Sequence, residues 1–150
     1  MIPKEELIEQ IRNGTRDINL PNVDLSEVNL SGVDLSGVNL SGANLAYADL
    51  SGVNLSGAIL CRVNLYHTNL NEANLSGVIL WRGNLSEAIL TKSDLSGASL
   101  CDSLLFNANL SGANLHKANL SGAKLANANL SGANLSDADV SFTDLTGKLP

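Results

Sequence analysis

Three residue types that could carry chemistry are scarce here: two cysteines (Cys61, Cys101), two histidines (His67, His116) and one tryptophan (Trp81). A cysteine beside a histidine is a candidate nucleophile, and closely spaced Cys and His are candidate metal ligands. Neither pattern occurs along the chain. No Ser-His-Asp spacing, phosphate-binding glycine loop or metal-ligand spacing is present either. Instead Cys61 is followed by Arg62, and Trp81 by Arg82. Trp and Arg are the residues that most often anchor binding surfaces, so recognition is the chemistry these positions suggest.

What positions them is a repeat. From Leu20 to Leu145 every fifth residue is Leu, with Val140 the single exception. Two residues before each Leu the chain is small or β-branched, as at Val23, Val28, Ala43 and Ala48. One residue before it is usually Asn or Asp, and the two residues after are usually Ser-Gly. A period of five matches neither helix nor plain strand. It reads as two inward residues flanking one outward residue, then a corner. Gly at the third position of a type II turn adopts φ > 0 without steric cost, and eleven of the thirteen glycines fall in that slot.

A turn of roughly 90° every five residues closes a square in about 20 residues, and successive coils then stack at about 4.8 Å. Leu columns fill the shaft, and the small residue keeps it too narrow for aromatics. Asn columns can form amide ladders from coil to coil. Such a stack also accounts for an apolar fraction of 44% with only 3% aromatics.

Stacking at this period reveals where the repeat breaks. One face is monotonous: Ser36-Gly37, Ser56-Gly57, Ser76-Gly77 and Ser96-Gly97. Another replaces Ser-Gly by Cys61-Arg62, Trp81-Arg82 and Cys101-Asp102, and its Asn column by Ile59 and Ile79. These residues form an outward patch three coils tall. The adjoining face adds Tyr66, His67, Glu87, Leu104 and Phe106, with Tyr47 one coil below. The expected protein-binding patch is therefore Ile59, Cys61, Arg62, Tyr66, His67, Ile79, Trp81, Arg82, Cys101, Asp102 and Phe106, centred on Trp81. Cys61 and Cys101 fall two coils apart, about 9–10 Å between Cα atoms, beyond the ~7 Å reach of a disulfide. No catalytic, metal or cofactor site is expected.

The A-(D/N)-L-x-x motif, seen in SGANL, LSGVNL and LANANL, resembles the pentapeptide-repeat family and covers Ile18 to about Leu145. The resemblance implies an all-β solenoid, the right-handed quadrilateral parallel β-helix. It also implies a family abundant in cyanobacteria, in which some members mimic duplex DNA and inhibit DNA gyrase and some dimerise through their C-terminal ends. This chain lacks the C-terminal helix those dimers often carry. The expected state is a monomer or a dimer through the C-terminal end.

Residues 3–13 predict a short helix, with Pro3 at its start, Glu5 and Glu6 in the first turn, and Leu7, Ile8 and Ile11 on one face. Residues 1–16 are read as an N-terminal capping helix and 17–150 as the β-helix. At the other end Phe142, Leu145 and Leu149 are candidates for a weak cap.

The net charge of −6 and the lack of a long apolar run argue against direct nucleic-acid or membrane binding. With no apolar segment of signal-peptide type near the N-terminus, the expected compartment is the cytoplasm. The repeat region holds Asp17, Asp24, Glu27, Asp34, Asp49, Glu72, Glu87, Asp94, Asp102, Asp137, Asp139 and Asp144 against Arg62, Arg82, Lys92, Lys117, Lys124 and Lys148. A rod of about 30 Å matches a duplex bearing roughly 18 phosphates. The shape suits a DNA mimic better than the charge does. The main expectation is a non-catalytic scaffold or protein-binding module, with the DNA mimic and a purely structural rod as alternatives.

Overall fold

The structure, a computed structural model, describes residues 2–14, 18–147 and 149–150. The expected junction between residues 16 and 17, and the charges of Asp17 and Lys148, lie outside the described residues.

The chain forms a stack of four-cornered coils of twenty residues. Every Asn-column position bridges in parallel to the position twenty residues on, from Asn19↔Asn39 through Lys124↔Asp144. The Leu N–H and the corner N–H donate forward to the next coil, as in Leu60 N to Ile79 O at 2.7 Å and Arg62 N to Trp81 O at 2.8 Å. The Asn-column N–H donates backward, as in Asn64 N to Ala43 O at 2.9 Å. Pairing never extends beyond isolated bridges among the described residues. A side only two or three residues long cannot sustain a strand before the next turn.

From Leu30 to Val140 each corner is closed by an i+3 to i bond, such as Val63 N to Leu60 O at 3.2 Å. Its third residue lies at positive φ, as a type II turn requires. Glycine is the commonest residue in that slot, yet among the described residues fifteen others occupy the left-handed region. They include Tyr47 (φ 61°), Arg62 (56°), His67 (55°), Arg82 (53°) and Asp102 (55°). Twelve of them, Asn22 through Lys117, have their backbone N–H held by the neighbouring coil, and that pairing outweighs a local cost of about 1–2 kcal/mol per residue.

The Asn column does double duty. Its Oδ1 accepts the backbone N–H two residues on, as from Tyr66 N to Asn64 at 3.1 Å, which fixes the entry to each corner. Its Nδ2 donates to the coil before, as in Asn64 to Asn44 Oδ1 at 3.0 Å and Asn114 to Asp94 Oδ1 at 3.1 Å. The expected amide ladder thus runs in segments: Asn44, Asn54, Asn64, Asn69, Asn84, Asn114 and Asn134 donate to the coil before, whereas Asn39, Asn74 and Asn129 make no such bond to the Asn below them.

The core is one column of Leu per side with the small residues between. Leu50, Leu60, Leu70 and Leu80 are fully buried, each contributing about 1.5–3 kcal/mol. Where the small position is polar the hydroxyl is satisfied: Thr68 Oγ1 donates to Leu45 O (2.8 Å), Ser93 to Leu90 O (2.7 Å) and Ser103 to Leu100 O (2.6 Å).

Helix α1 spans Lys4–Arg12, and Pro3 precedes it as the capping residue rather than opening its first turn. Leu7 and Ile11 are buried in the same core, with Ile8 packed beside them. At the other end, of the three expected cap residues, Leu145 packs against the core. Phe142 is 87% exposed and Leu149 54%, so the expected three-residue cap reduces to one.

Candidate functional site

The twenty-residue register puts Cys61-Arg62, Trp81-Arg82 and Cys101-Asp102 at the same corner of three successive coils. Together these six residues line a surface cavity of about 420 Å³. Each αL residue is carried on a backbone N–H bonded to the next coil: Arg62 to Trp81 O, Arg82 to Cys101 O (3.1 Å), Asp102 to Ser121 O (3.0 Å). The third-residue N–H groups of this corner are therefore held by the stack, whereas those of Cys61, Trp81 and Cys101 lack the Asn acceptor that serves Ser41 and Ser121 in the same column, because Ile59, Ile79 and Ser99 replace it.

Trp81 is 56% exposed, and its Nε1 donates to Ser99 Oγ at 2.9 Å. Ser99 also lies 3.6 Å from Cys101 Sγ. Ser99 belongs to the Asn column of this face and was not among the expected site residues. Its signal was the substitution of a ladder position directly above Ile59 and Ile79. Both cysteines are free and half-buried, on either side of Trp81 in the column.

Neither guanidinium has a side-chain partner. Among the described residues the ion pairs are Arg12–Glu9 and His116–Asp137. Asp102, though next in the column, leans the other way: a Cβ on Gly122 would collide with Asp102 Oδ1.

The structure separates the expected patch into parts. Ile59 (37% exposed) and half-buried Ile79 stand on the flat side before the corner, outside the cavity lining. Tyr66 and His67 sit at the next corner in a cluster of their own. Tyr47 stacks on His67 (centroids 5.3 Å apart, planes at 29°) and meets Tyr66 edge-on (5.5 Å, 83°). The Glu87 carboxylate, helped by partial burial, holds the Tyr66 phenol above its ordinary pKa. Phe106 (37% exposed) occupies this second corner two coils above Tyr66, outside the ring contacts.

The face read as monotonous also breaks, at His116-Lys117 and Ser136-Asp137. His116 Nδ1 lies 2.9 Å from Ser136 Oγ and 3.9 Å from Asp137 Oδ2. Serine and carboxylate thus face the same ring nitrogen. A relay needs them on opposite nitrogens, so this trio cannot activate the serine. Asp24 and Asp139 are held below the ordinary carboxylate range, chiefly by the hydroxyl and then the backbone N–H of Ser26 and Ser141 respectively. Among the described residues no group of three or more His, Cys, Asp or Glu is placed to hold a metal ion, and no described helix is long and apolar enough to cross a membrane.

A solved pentapeptide repeat protein, Rfr23 from the cyanobacterium Cyanothece 51142, is 34% identical over 88% of each chain (TM-score 0.37). HetL from Nostoc sp. strain PCC 7120, described as involved in heterocyst differentiation regulation, is 25% identical over 97% of this chain and 95% of its own (TM-score 0.29). QnrB1, a plasmid-mediated fluoroquinolone resistance protein, is 20% identical over 89% of this chain and 90% of its own (TM-score 0.37). No curated protein sequence matches the chain. The family model for pentapeptide repeats matches in eight copies, over residues 16–42, 39–77, 68–105, 84–122 and 113–147. With that match spanning the coils from end to end, the chain belongs to the pentapeptide repeat family.

Proposed function

We propose that this chain is a non-catalytic, rigid binding module that engages a protein partner through the corner built from Cys61, Arg62, Trp81, Arg82, Cys101 and Asp102. One observation carries the reading. At this corner the recurrent Ser-Gly pair is replaced on three consecutive coils, and the replacements line one cavity around an exposed tryptophan. Stacking alone asks for nothing there but a turn, whereas Trp and Arg around a concavity are what a binding hot spot uses. The right-handed winding of the coils is inferred from family membership, and a cytoplasmic setting is part of the same proposal.

The DNA-mimic alternative draws on the rod's dimensions. Against it, the Trp81 corner carries two unpaired guanidiniums where a mimic needs carboxylates.

Affinity capture from a cytoplasmic lysate tests the reading. Wild type is compared with a folded Trp81→Ser/Arg62→Ser/Arg82→Gly variant. A partner retained by wild type and lost by the variant is the expected result. Identical capture by both, or none by either, overturns it.

A further inference from the structure

We propose that the Trp81 corner recognises a short, extended acidic peptide segment, with adjacent carboxylates over Arg62 and Arg82 and an apolar side chain against the indole. This rests on the binding-module reading and names the chemistry of its partner.

The charge argument comes first. The chain carries a net charge of −6, yet Arg62 and Arg82 stand on consecutive coils with no acid paired to either. Coils spaced at about 4.8 Å put two guanidiniums within reach of one carboxylate or of two neighbouring ones. The nearest acid in the column, Asp102, leans over Gly122 instead. The corner is an electropositive spot on an acidic rod.

Shape and backbone then narrow the ligand. The cavity spans three coils, about 10 Å, the length of three to four extended residues at ~3.3 Å each. A peptide cannot add as a strand here, because the corner N–H groups of residues 62, 82 and 102 are already donated to the next coil. The backbone donors left at this corner are the N–H groups of Cys61, Trp81 and Cys101, so recognition is led by side chains with those three beside them. Trp81 donates its Nε1 to Ser99, so the indole offers its apolar face. Asp102 at one end repels a third carboxylate and favours a neutral or basic residue there. A nucleic acid does not fit this pattern, since a longer polyanion would run onto Asp102 and the acidic flanks.

Trp81 is the sole tryptophan, so its emission reads the corner directly. Wild-type protein is titrated with the capped tetrapeptides Leu-Glu-Glu-Lys and Lys-Glu-Glu-Leu, with their Gln-for-Glu counterparts, and with a short DNA duplex. The expected result is a saturable change with at least one Glu peptide, weakening as salt rises, and none with the Gln peptides. Arg62→Gln/Arg82→Gln should weaken it at least about tenfold, the loss of one charge-assisted contact. Arg62→Lys/Arg82→Lys should retain part of it.

No response up to about 1 mM peptide, equal binding of the Gln peptides, or an unchanged response in the folded Gln variant overturns the proposal. So does tighter binding of the duplex. Sedimentation showing that wild type pairs with itself, and that the Gln variant does not, overturns it in favour of a second copy as occupant. A lysate partner lost with Trp81→Ser but kept by Arg62→Gln/Arg82→Gln would sink the acidic peptide while leaving the binding module standing. Peptide binding without any Trp81-dependent partner would do the reverse.

Discussion

Lys4 reaches from helix α1 to donate its Nζ to the backbone carbonyl of Ser26 at 2.7 Å. One turn of the solenoid later, the equivalent carbonyl of Ala46 accepts from the N–H of Glu27 at 2.9 Å. The ammonium therefore stands in for the N–H that a preceding coil would supply. Arg12 does the same for Asn29, donating through Nη2 at 2.8 Å to a carbonyl whose counterpart, Asp49 O, takes the N–H of Leu30. The helix thus caps the end in two ways, burying Leu7 and Ile11 over the shaft and satisfying the exposed edge. Replacing Lys4 and Arg12 by Met should cost about 1 kcal/mol each. Hydrogen exchange should show the loss in the first coil while the protection of residues 60–100 stays unchanged, as expected of a stack whose coils contact only their neighbours. Uniform loss along the rod would argue against the cap acting locally.

The corners make a second test, because most of them hold an L-residue at positive φ. Glu72 (φ 57°) and Gly52 (φ 64°) occupy equivalent slots one coil apart, and a Cβ at Gly52 would meet nothing within 4 Å. Gly52→Ala should therefore destabilise by only about 1 kcal/mol, the left-handed cost alone. Glu72→Gly should stabilise by a smaller amount, since glycine also loosens the unfolded chain. Gly147→Ala should cost more than either, because its Cβ would run into the backbone of Ala128. Urea midpoints for the three variants rank the effects, and a Gly52→Ala cost above about 3 kcal/mol would mean the corner is tighter than it looks.

Trp81 should matter little to folding. Its side chain is more than half exposed and makes one hydrogen bond, to Ser99. Trp81→Ser is expected to shift stability by less than about 1 kcal/mol, measured by thermal unfolding in circular dichroism. Collapse of the fold in this variant would count against an outward-facing site.

Tyr66 gives the pH prediction. Glu87 beside the phenol favours its neutral form and raises its pKa. A group with a raised folded pKa stabilises below its unfolded pKa, about 10, and that stability is lost as pH climbs through the folded value. In a Tyr47→Phe background, where Tyr66 is the only tyrosine left, phenolate absorbance should titrate later than in a model peptide. Adding Glu87→Gln should bring it back down. An unchanged titration would remove Glu87 as the cause.

Much of the architecture was legible because a solenoid is a local code repeated. Leu every fifth residue, a small residue two before it and Asn between them suffice to place the inward columns, the amide ladder and the twenty-residue register. The exceptions were legible as departures from that code, which is how the corner of Cys61, Trp81 and Cys101 could be found. Other features were not written in the period. Glycine is the commonest corner residue because it takes positive φ without cost, and it was the stack that showed how inter-coil bonding holds Tyr47, Arg62 and Asp102 left-handed all the same. Adjacent columns looked like one patch, yet flat sides separate neighbouring corners, so Tyr66 and His67 pack with Tyr47 rather than with Trp81. The direction each side chain leans was also left to the tertiary structure, which turns Asp102 toward Gly122 and away from Arg82. Sequence determined the register because every coil repeats the same short-range choice. Only the folded stack decided which outward groups meet, because those contacts join residues twenty apart whose rotamers depend on the neighbours above and below.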